Sequence, residues 1–185
     1  GGPPRRGADQ RVDIQVDFMT ACLGGERHLT LGRPDGSQDR VTVPIPAGAK
    51  NVGRVRLRGK GMPPRGGGPC GDLLVHISVQ SHPLLSRDGD DLTLEVPLRL
   101  GEMLRGASIT VPTPTGDVRV TVPKGAKNGA RLRLKGRGIQ RKGRPGHLYL
   151  VLRPRLPEDP DEDTLEAADR LDAALTEDPR AGLKL

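Results

Sequence analysis

Aromatic side chains are almost missing from this sequence, which holds Phe18, Tyr149 and no tryptophan among 185 residues. Aromatic residues bury the most area per side chain, so a core built without them must rest on Val, Leu and Ile. Such residues pack well on one face of a pleated sheet, which points to a mainly β protein. The same deficit argues against specific or single-strand nucleic-acid recognition, which usually stacks bases on aromatic rings. Cysteine is scarce too. Cys22 and Cys70 stand 48 positions apart with no CxxC pair, and they read as small buried or half-buried thiols in a reducing compartment. His28, His76, His82 and His147 are scattered singly, so no metal or other cofactor is expected. No Ser or Cys lies in a nucleophile elbow and no carboxylate pair stands out, so no enzyme is expected. No apolar run approaches membrane-spanning length and no cleavable leader is visible, which makes the cytoplasm the default location, with no membrane partner.

What the chain does have is a stretch that occurs twice. Val41-Thr42-Val43-Pro44, Gly48-Ala49-Lys50-Asn51 and Arg54-Val55-Arg56-Leu57-Arg58-Gly59-Lys60-Gly61 return as Val120-Thr121-Val122-Pro123, Gly125-Ala126-Lys127-Asn128 and Arg131-Leu132-Arg133-Leu134-Lys135-Gly136-Arg137-Gly138. From the GAKN tetrad onward the copies lie 77 positions apart. A solenoid repeats at shorter periods and more often, so two copies at this spacing indicate a duplicated domain. The 26 glycines and 18 prolines cut each copy into the short runs that strands and turns require.

Residues 11–18 alternate polar and apolar, placing Val12, Ile14, Val16 and Phe18 on one strand face. A helical turn from Met19 to Leu23 stops at Gly24-Gly25. Strands follow at His28–Leu31 and Arg40–Val43, then the basic strand, a Gly/Pro loop and an apolar strand at Asp72–Val79. Ser81-His82-Pro83-Leu84 forms a seam, and Arg87-Asp88-Gly89-Asp90 reads as a turn. The order then repeats, with alternation at Asp91–Val96, a short helix at Leu100–Arg105 before Gly106, strands at Ser108–Val111 and Asp117–Val122, and a closing strand at His147–Leu152. The expected divisions are a linker remnant at 1–9, domain I at 10–82, domain II at 83–156 and a tail at 157–185.

Charge is uneven. Residues 157–178 carry ten acidic side chains against Arg170 alone, which leaves residues 1–156 with 27 bases and 13 acids. A body at +14 with an acidic tail suits a polyanion partner or a tail that masks the body. In the tail, Asp159 is an N-cap candidate ahead of Pro160, and Leu165, Ala168, Leu171 and Leu175 follow at helical spacing. A single helix of about four turns is marginal alone in water, so its stripe must pack on the body or on a second subunit.

The arginines of the two basic strands fit a solvated face and a charged sheet edge better than a binding surface. Gly59-Lys60-Gly61 fails as a phosphate loop because no Ser or Thr follows the lysine. The aliphatic positions Val12, Ile14, Leu29, Leu31 and Val75 are core by default, since alternation shows which face is apolar and not what covers it. Left open, they form a groove for an extended peptide paired to a sheet edge.

The string from Phe18 through Leu23-Gly24-Gly25-Glu26-Arg27 to Leu31, with Val43-Pro44, Gly48, Arg56-Leu57-Arg58-Gly59-Lys60-Gly61, Gly71-Asp72-Leu73 and His82-Pro83 leading to Arg87-Asp88-Gly89-Asp90-Asp91-Leu92, resembles the C-terminal substrate-binding region of DnaJ/Hsp40 co-chaperones. The likeness extends over residues 10–156. It implies two tandem β-sandwich-like domains, each with a short helix, followed by a C-terminal dimerisation helix bearing Leu165, Ala168, Leu171 and Leu175. It also implies capture of unfolded polypeptide clients in a shallow groove of domain I, for transfer to an Hsp70 chaperone, in a homodimer. The groove positions so implied are Val12, Ile14, Leu29, Leu31 and Val75, with Arg27 at a basic rim. Leu31 reaches Val41 with no room for CxxCxGxG motifs, so the chain resembles the zinc-free type. The J-domain with its His-Pro-Asp motif is not among these residues, and stimulation of Hsp70 by this segment alone is not expected. Weak DNA binding by the basic body is the alternative function.

Overall fold

A computed structural model describes residues 5–184; the first residues of the 1–9 linker reading lie outside that range. The first half contains β1 (Gln10–Val16), α1 (Phe18–Leu23), β2 (Gly25–Gly32), β3 (Gln38–Ile45), β4 (Gly53–Leu57) and β5 (Leu73–Val79). The second contains β6 (Leu85–Asp88), β7 (Asp91–Arg99), α2 (Leu100–Arg105), β8 (Ala107–Val111), β9 (Val118–Val122), β10 (Arg131–Leu134) and β11 (Leu148–Arg155), and the tail holds α3 (Glu162–Ala173). The protein is thus mainly β, with several sheets and three short helices. In each half a strand trio, β1-β5-β4 or β7-β11-β10, faces a two-stranded sheet, β2-β3 or β8-β9. The β1–β5 and β7–β11 ladders are parallel and the others antiparallel.

Alternation explains the layering. Along β1, Ile14 and Val16 are buried while Arg11, Asp13 and Gln15 are exposed. Val43 and Ile45 of β3 join Val75 and Ile77 of β5 in one core cluster, so the two sheets share a dry interior. Phe18 departs from the strand expected for it. The Asp17 carboxylate accepts the Thr20 backbone N–H at 2.8 Å and its hydroxyl at 2.7 Å, so Asp17 caps α1 and Phe18 becomes its first residue. Gly24 ends the helix at φ 77°, a conformation that favours glycine.

The second core cluster contains Leu92, Ile139, Leu148, Leu150 and Leu152, and also Phe18 and Cys22 from the first half. One side of α1 therefore inserts into the neighbouring module. Polar contacts reinforce this junction. The Gln140 N–H donates to the Cys22 carbonyl at 2.9 Å, and the Arg87 guanidinium donates to the carbonyls of Ala49 at 2.8 Å and Gly48 at 3.0 Å. Within the second module, Arg141 holds Asp90 through two bonds, of 2.9 and 2.8 Å.

Two other expectations shift. Leu85–Asp88, read in part as a turn, forms β6 against β7; a four-residue edge strand containing Ser, Arg and Asp has too little apolar signal to be seen in sequence. The tail helix is capped by Asp161, not Asp159, because the Asp161 carboxylate accepts the Thr164 N–H at 2.8 Å. The helix is 12 residues long and leaves Leu175 beyond its end.

The start of the β1–β5 ladder is pinned by Asp72, whose side chain is only 5% exposed. Its carboxylate accepts the Gly59 N–H at 2.9 Å, Arg6 at 2.7 Å and Arg56 Nε at 2.6 Å, while its own N–H donates to Asp9 at 2.7 Å. The second module builds the same corner differently: His147 Nδ1 accepts the Gly136 N–H at 3.1 Å, and the His147 N–H donates to Asp91 at 2.7 Å. The Gly59 amide first, then Arg6 and Arg56, hold the Asp72 carboxyl well below the usual carboxylate range, against the opposing effect of burial. Between the depressed native value and the ordinary aspartate value of about 3.9, the unfolded chain binds the proton and the folded chain does not. The stability that Asp72 confers is therefore complete above about pH 4 and is lost as pH falls below it. Asp72→Asn is expected to lower stability at pH 7 and to flatten its decline in acid. Urea unfolding at pH 7 and pH 3 tests this, and parallel pH dependence in the variant and the parent would refute it.

Candidate functional site

The two modules differ most clearly at one sheet edge. In the first, β1 is the outermost strand of its sheet and has a partner on one side only. In the second, the equivalent strand β7 has β6 laid along it, pairing Leu85 with Leu94 through to Asp88 with Asp91. Among the described residues β2 pairs only with β3, as β8 does with β9. The first module thus exposes the backbone of two strands that carry several of the aliphatic residues picked out in the sequence.

Those residues divide by burial. Ile14, Leu31 and Val75 lie in the core cluster, at 7%, 5% and 0% exposure, whereas Val12 and Leu29 are half-buried and pack against it. Val75 is flanked in register by Val12 on β1 and Val55 on β4, so these three valines form one row across the sheet. Arg27, Leu29 and Leu31 alternate along β2 and share a face, with Arg27 exposed. Val12 and Leu29 are accordingly the aliphatic members with surface left to offer, and Ile14, Leu31 and Val75 support them from below.

On α3, Leu165 and Leu171 remain 52% and 42% exposed. With Ala168 they line a concavity of about 460 Å³ whose other wall includes Leu100 and Leu156. Leu175, 61% exposed, is not on the helix. A second series of hollows lies on the module holding β7 and β8, lined by Leu84, Leu94, Ile109 and Pro112. The sequence did not single these out, because Leu84 precedes the unrecognised β6 and the others follow the ordinary alternation of core strands.

The basic strands present Arg54, Arg56 and Arg58 on one edge and Arg131 and Arg133 on another, all exposed. Arg56 is engaged by Asp72, and Arg131 stacks 4.6 Å above the Tyr149 ring. Burial pushes the Cys22 thiol up to about 11, so it stays protonated and unreactive at neutral pH. Among the described residues no group of three or more His, Cys, Asp and Glu could hold a metal ion, and no helix is long and apolar enough to cross a membrane.

Residues 10–157 match the family described as DnaJ C terminal domain, a span that takes in both modules and their junction. The chain belongs to the DnaJ C-terminal domain family. It is a family of non-enzymatic co-chaperone domains. The connection from β2 to β3 is the turn Arg33-Pro34-Asp35-Gly36-Ser37, so this DnaJ domain carries no zinc-finger insertion between those strands. It is 43% identical over 188 residues to proteins named "Curved DNA-binding protein" from Shigella boydii and from Escherichia coli, including strain K12 / DH10B. The alignment takes in 96% of this chain and 61% of each relative, so the chain spans about three fifths of the length of these curated relatives.

Proposed function

We propose that this DnaJ C-terminal region is a chaperone module that binds unfolded or extended polypeptide at the first module, for transfer to an Hsp70 partner. The observation that carries the reading is the pair of free strand edges, β1 and β2, beside the half-buried Val12 and Leu29, whereas β6 covers the start of the equivalent strand β7, from Asp91 to Leu94. An open edge supplies backbone hydrogen bonds to any sequence, and aliphatic recesses at every second position favour apolar side chains. Ile14, Leu31 and Val75 form the floor of this groove, and Arg27 gives it a basic rim. On this reading residues 10–82 are the client-binding domain I and 83–156 domain II, with α1 as the element that ties them together.

The groove predicts that Val12→Asp and Leu29→Asp, both at half-buried positions, each weaken suppression of client aggregation several-fold while the melting temperature moves by only a few degrees. Light scattering of a chemically denatured client, with thermal melts alongside, reads both. Unchanged suppression in folded variants would refute the groove.

The α3 stripe supports a homodimer. Leu165 and Leu171 are large, apolar and exposed beside an open concavity that a second copy's tail would fill. Leu165→Asp with Leu171→Asp is expected to give a monomer in sedimentation velocity, and a dimer surviving both changes would rule the interface out.

DNA binding is the second reading, favoured by the +14 body and by the printed name of the relatives. Phosphate contacts through Lys and Arg release counterions, so with six or more contacts affinity should fall roughly a thousandfold or more between 50 and 200 mM salt. Gel shifts across that range test it. Peptide binding in an aliphatic groove should change little over the same series, which separates the two activities.

A further inference from the structure

Among the described residues one buried side-chain oxygen has no hydrogen-bond partner, and it belongs to Gln10, the first residue of β1. Folded chains pair nearly all such atoms, so an orphan needs a reason. Three other glutamines pair their amides. Gln80 Nε2 donates to Gln15 Oε1 at 2.9 Å, and Gln140 Nε2 donates to the carbonyls of Gly136 and Gly138, both at 2.9 Å.

The duplication shows what this position holds when packing alone decides. Gln10 stands in register with Leu73 of β5, and Leu92 of β7 with Leu148 of β11, so Gln10 and Leu92 occupy equivalent places in the two ladders. Leu92 is fully buried, and Arg87 of β6 pairs with it from the far side. Gln10 is only half-buried, and no strand lies beyond β1. A polar side chain with an unpaired oxygen thus replaces leucine at the bare edge and not at the covered one.

The place is close to the groove. Alternation puts Gln10 on the face of β1 that carries Val12 and Ile14, and the row Gln10, Leu73, Leu57 lies beside the row Val12, Val75, Val55. Residues two apart on a strand stand about 6.6 Å apart, and a chain bound in extended form along this edge spaces its own side chains by the same step. If one client residue faces Val12, its second neighbour faces Gln10. Leaving the amide oxygen unpaired disfavours the free protein by about as much as a lost hydrogen bond. A bound group that pairs with the amide relieves that cost, and the three side-chain torsions of glutamine let it turn toward such a group.

We propose that Gln10 is a specificity-determining residue of the first module's groove, which receives a serine, threonine, asparagine or glutamine of the client two positions from an aliphatic residue seated at Val12. This rests on the groove reading given above.

Fluorescence anisotropy on the whole chain tests it with two labelled ten-residue peptides that share a central leucine. One carries asparagine two positions to either side of that leucine, and the other carries leucine there. Gln10→Leu, which installs the residue found at Leu92, should weaken the asparagine peptide roughly two- to ten-fold, the size of one net hydrogen bond, and should tighten the leucine peptide. It should also raise the melting temperature by a few degrees, because the orphaned oxygen is gone. Equal changes for the two peptides, or none, with Leu29→Asp still weakening both, would overturn the role of Gln10 and leave the groove standing. Binding of both peptides unmoved by Leu29→Asp would overturn the groove and this role together. A melting temperature that falls in Gln10→Leu would show that the oxygen is paired in solution, and that result too would overturn the proposal.

Discussion

Each module is closed by a parallel ladder between its first long strand and its last. β1 runs beside β5 from the pair Gln10–Leu73 to Val16–Val79, and β7 beside β11 from Leu92–Leu148 to Arg99–Arg155. Parallel neighbours cannot be joined by a tight turn, so everything else in the module, including a helix, a hairpin and the basic strand, lies between them in sequence. Such pairing costs chain entropy before it returns any contact, which makes the start of the ladder its critical point. Polar groups are concentrated there. Asp9 takes the Asp72 N–H and Asp91 takes the His147 N–H, while the side chains of Asp72 and His147 hold the Gly59 and Gly136 amides. Glycine is required beside each corner: a Cβ on Gly71 would collide with the Ala8 carbonyl, and one on Gly146 with that of Asp90.

Because the ladder fixes which strands are central, it also fixes which are edges. β4 and β10 end their sheets, and their exposed arginines discourage edge-to-edge aggregation. At the opposite end the copies part company. The second sheet continues into β6, formed by chain that has just crossed from the first module, and the first sheet stops at β1. The two copies thus keep one scaffold and differ in how much of the outer edge is covered: none of β1, and Asp91 to Leu94 of β7.

Much of the scaffold was legible in the sequence because strand alternation and a written-out repeat are local signals. The short helices before Gly24 and Gly106, and the order of elements in each half, could be read from glycine stops and from the period-two pattern. The parallel pairing could not, since no local feature of residues 10–16 names residues 73–79 as their partner. β6 escaped notice because four residues carry too little apolar signal, and Phe18 was put on a strand because the Asp17 cap competes with the alternation that precedes it. Period two marks Val12, Ile14, Leu29, Leu31 and Val75 as aliphatic faces, but it cannot distinguish the burial of Ile14, Leu31 and Val75 from the half-burial of Val12 and Leu29. The hollows beside Leu84 depend on where unconnected edges end, which is a property of the assembled sheets alone.

The placement of α1 links these surfaces. It follows β1 after a single residue, Asp17, and leads into β2 through Gly24, so the strands bearing Val12 and Leu29 are anchored at the same short helix. Phe18 and Cys22 on that helix lie in the second core cluster, and the ring of His82 packs on Phe18 with centroids 5.7 Å apart. Met19, on the same helix, lines a hollow together with Leu84 and Leu94. Moving one module against the other would have to withdraw Phe18 from an apolar core and break the Arg87 contacts to Ala49 and Gly48 and the Gln140 contact to Cys22 together. An aromatic side chain leaving such a core costs about 3 kcal/mol or more. The junction thus acts as a splint that keeps the strand edges of both modules at a fixed spacing.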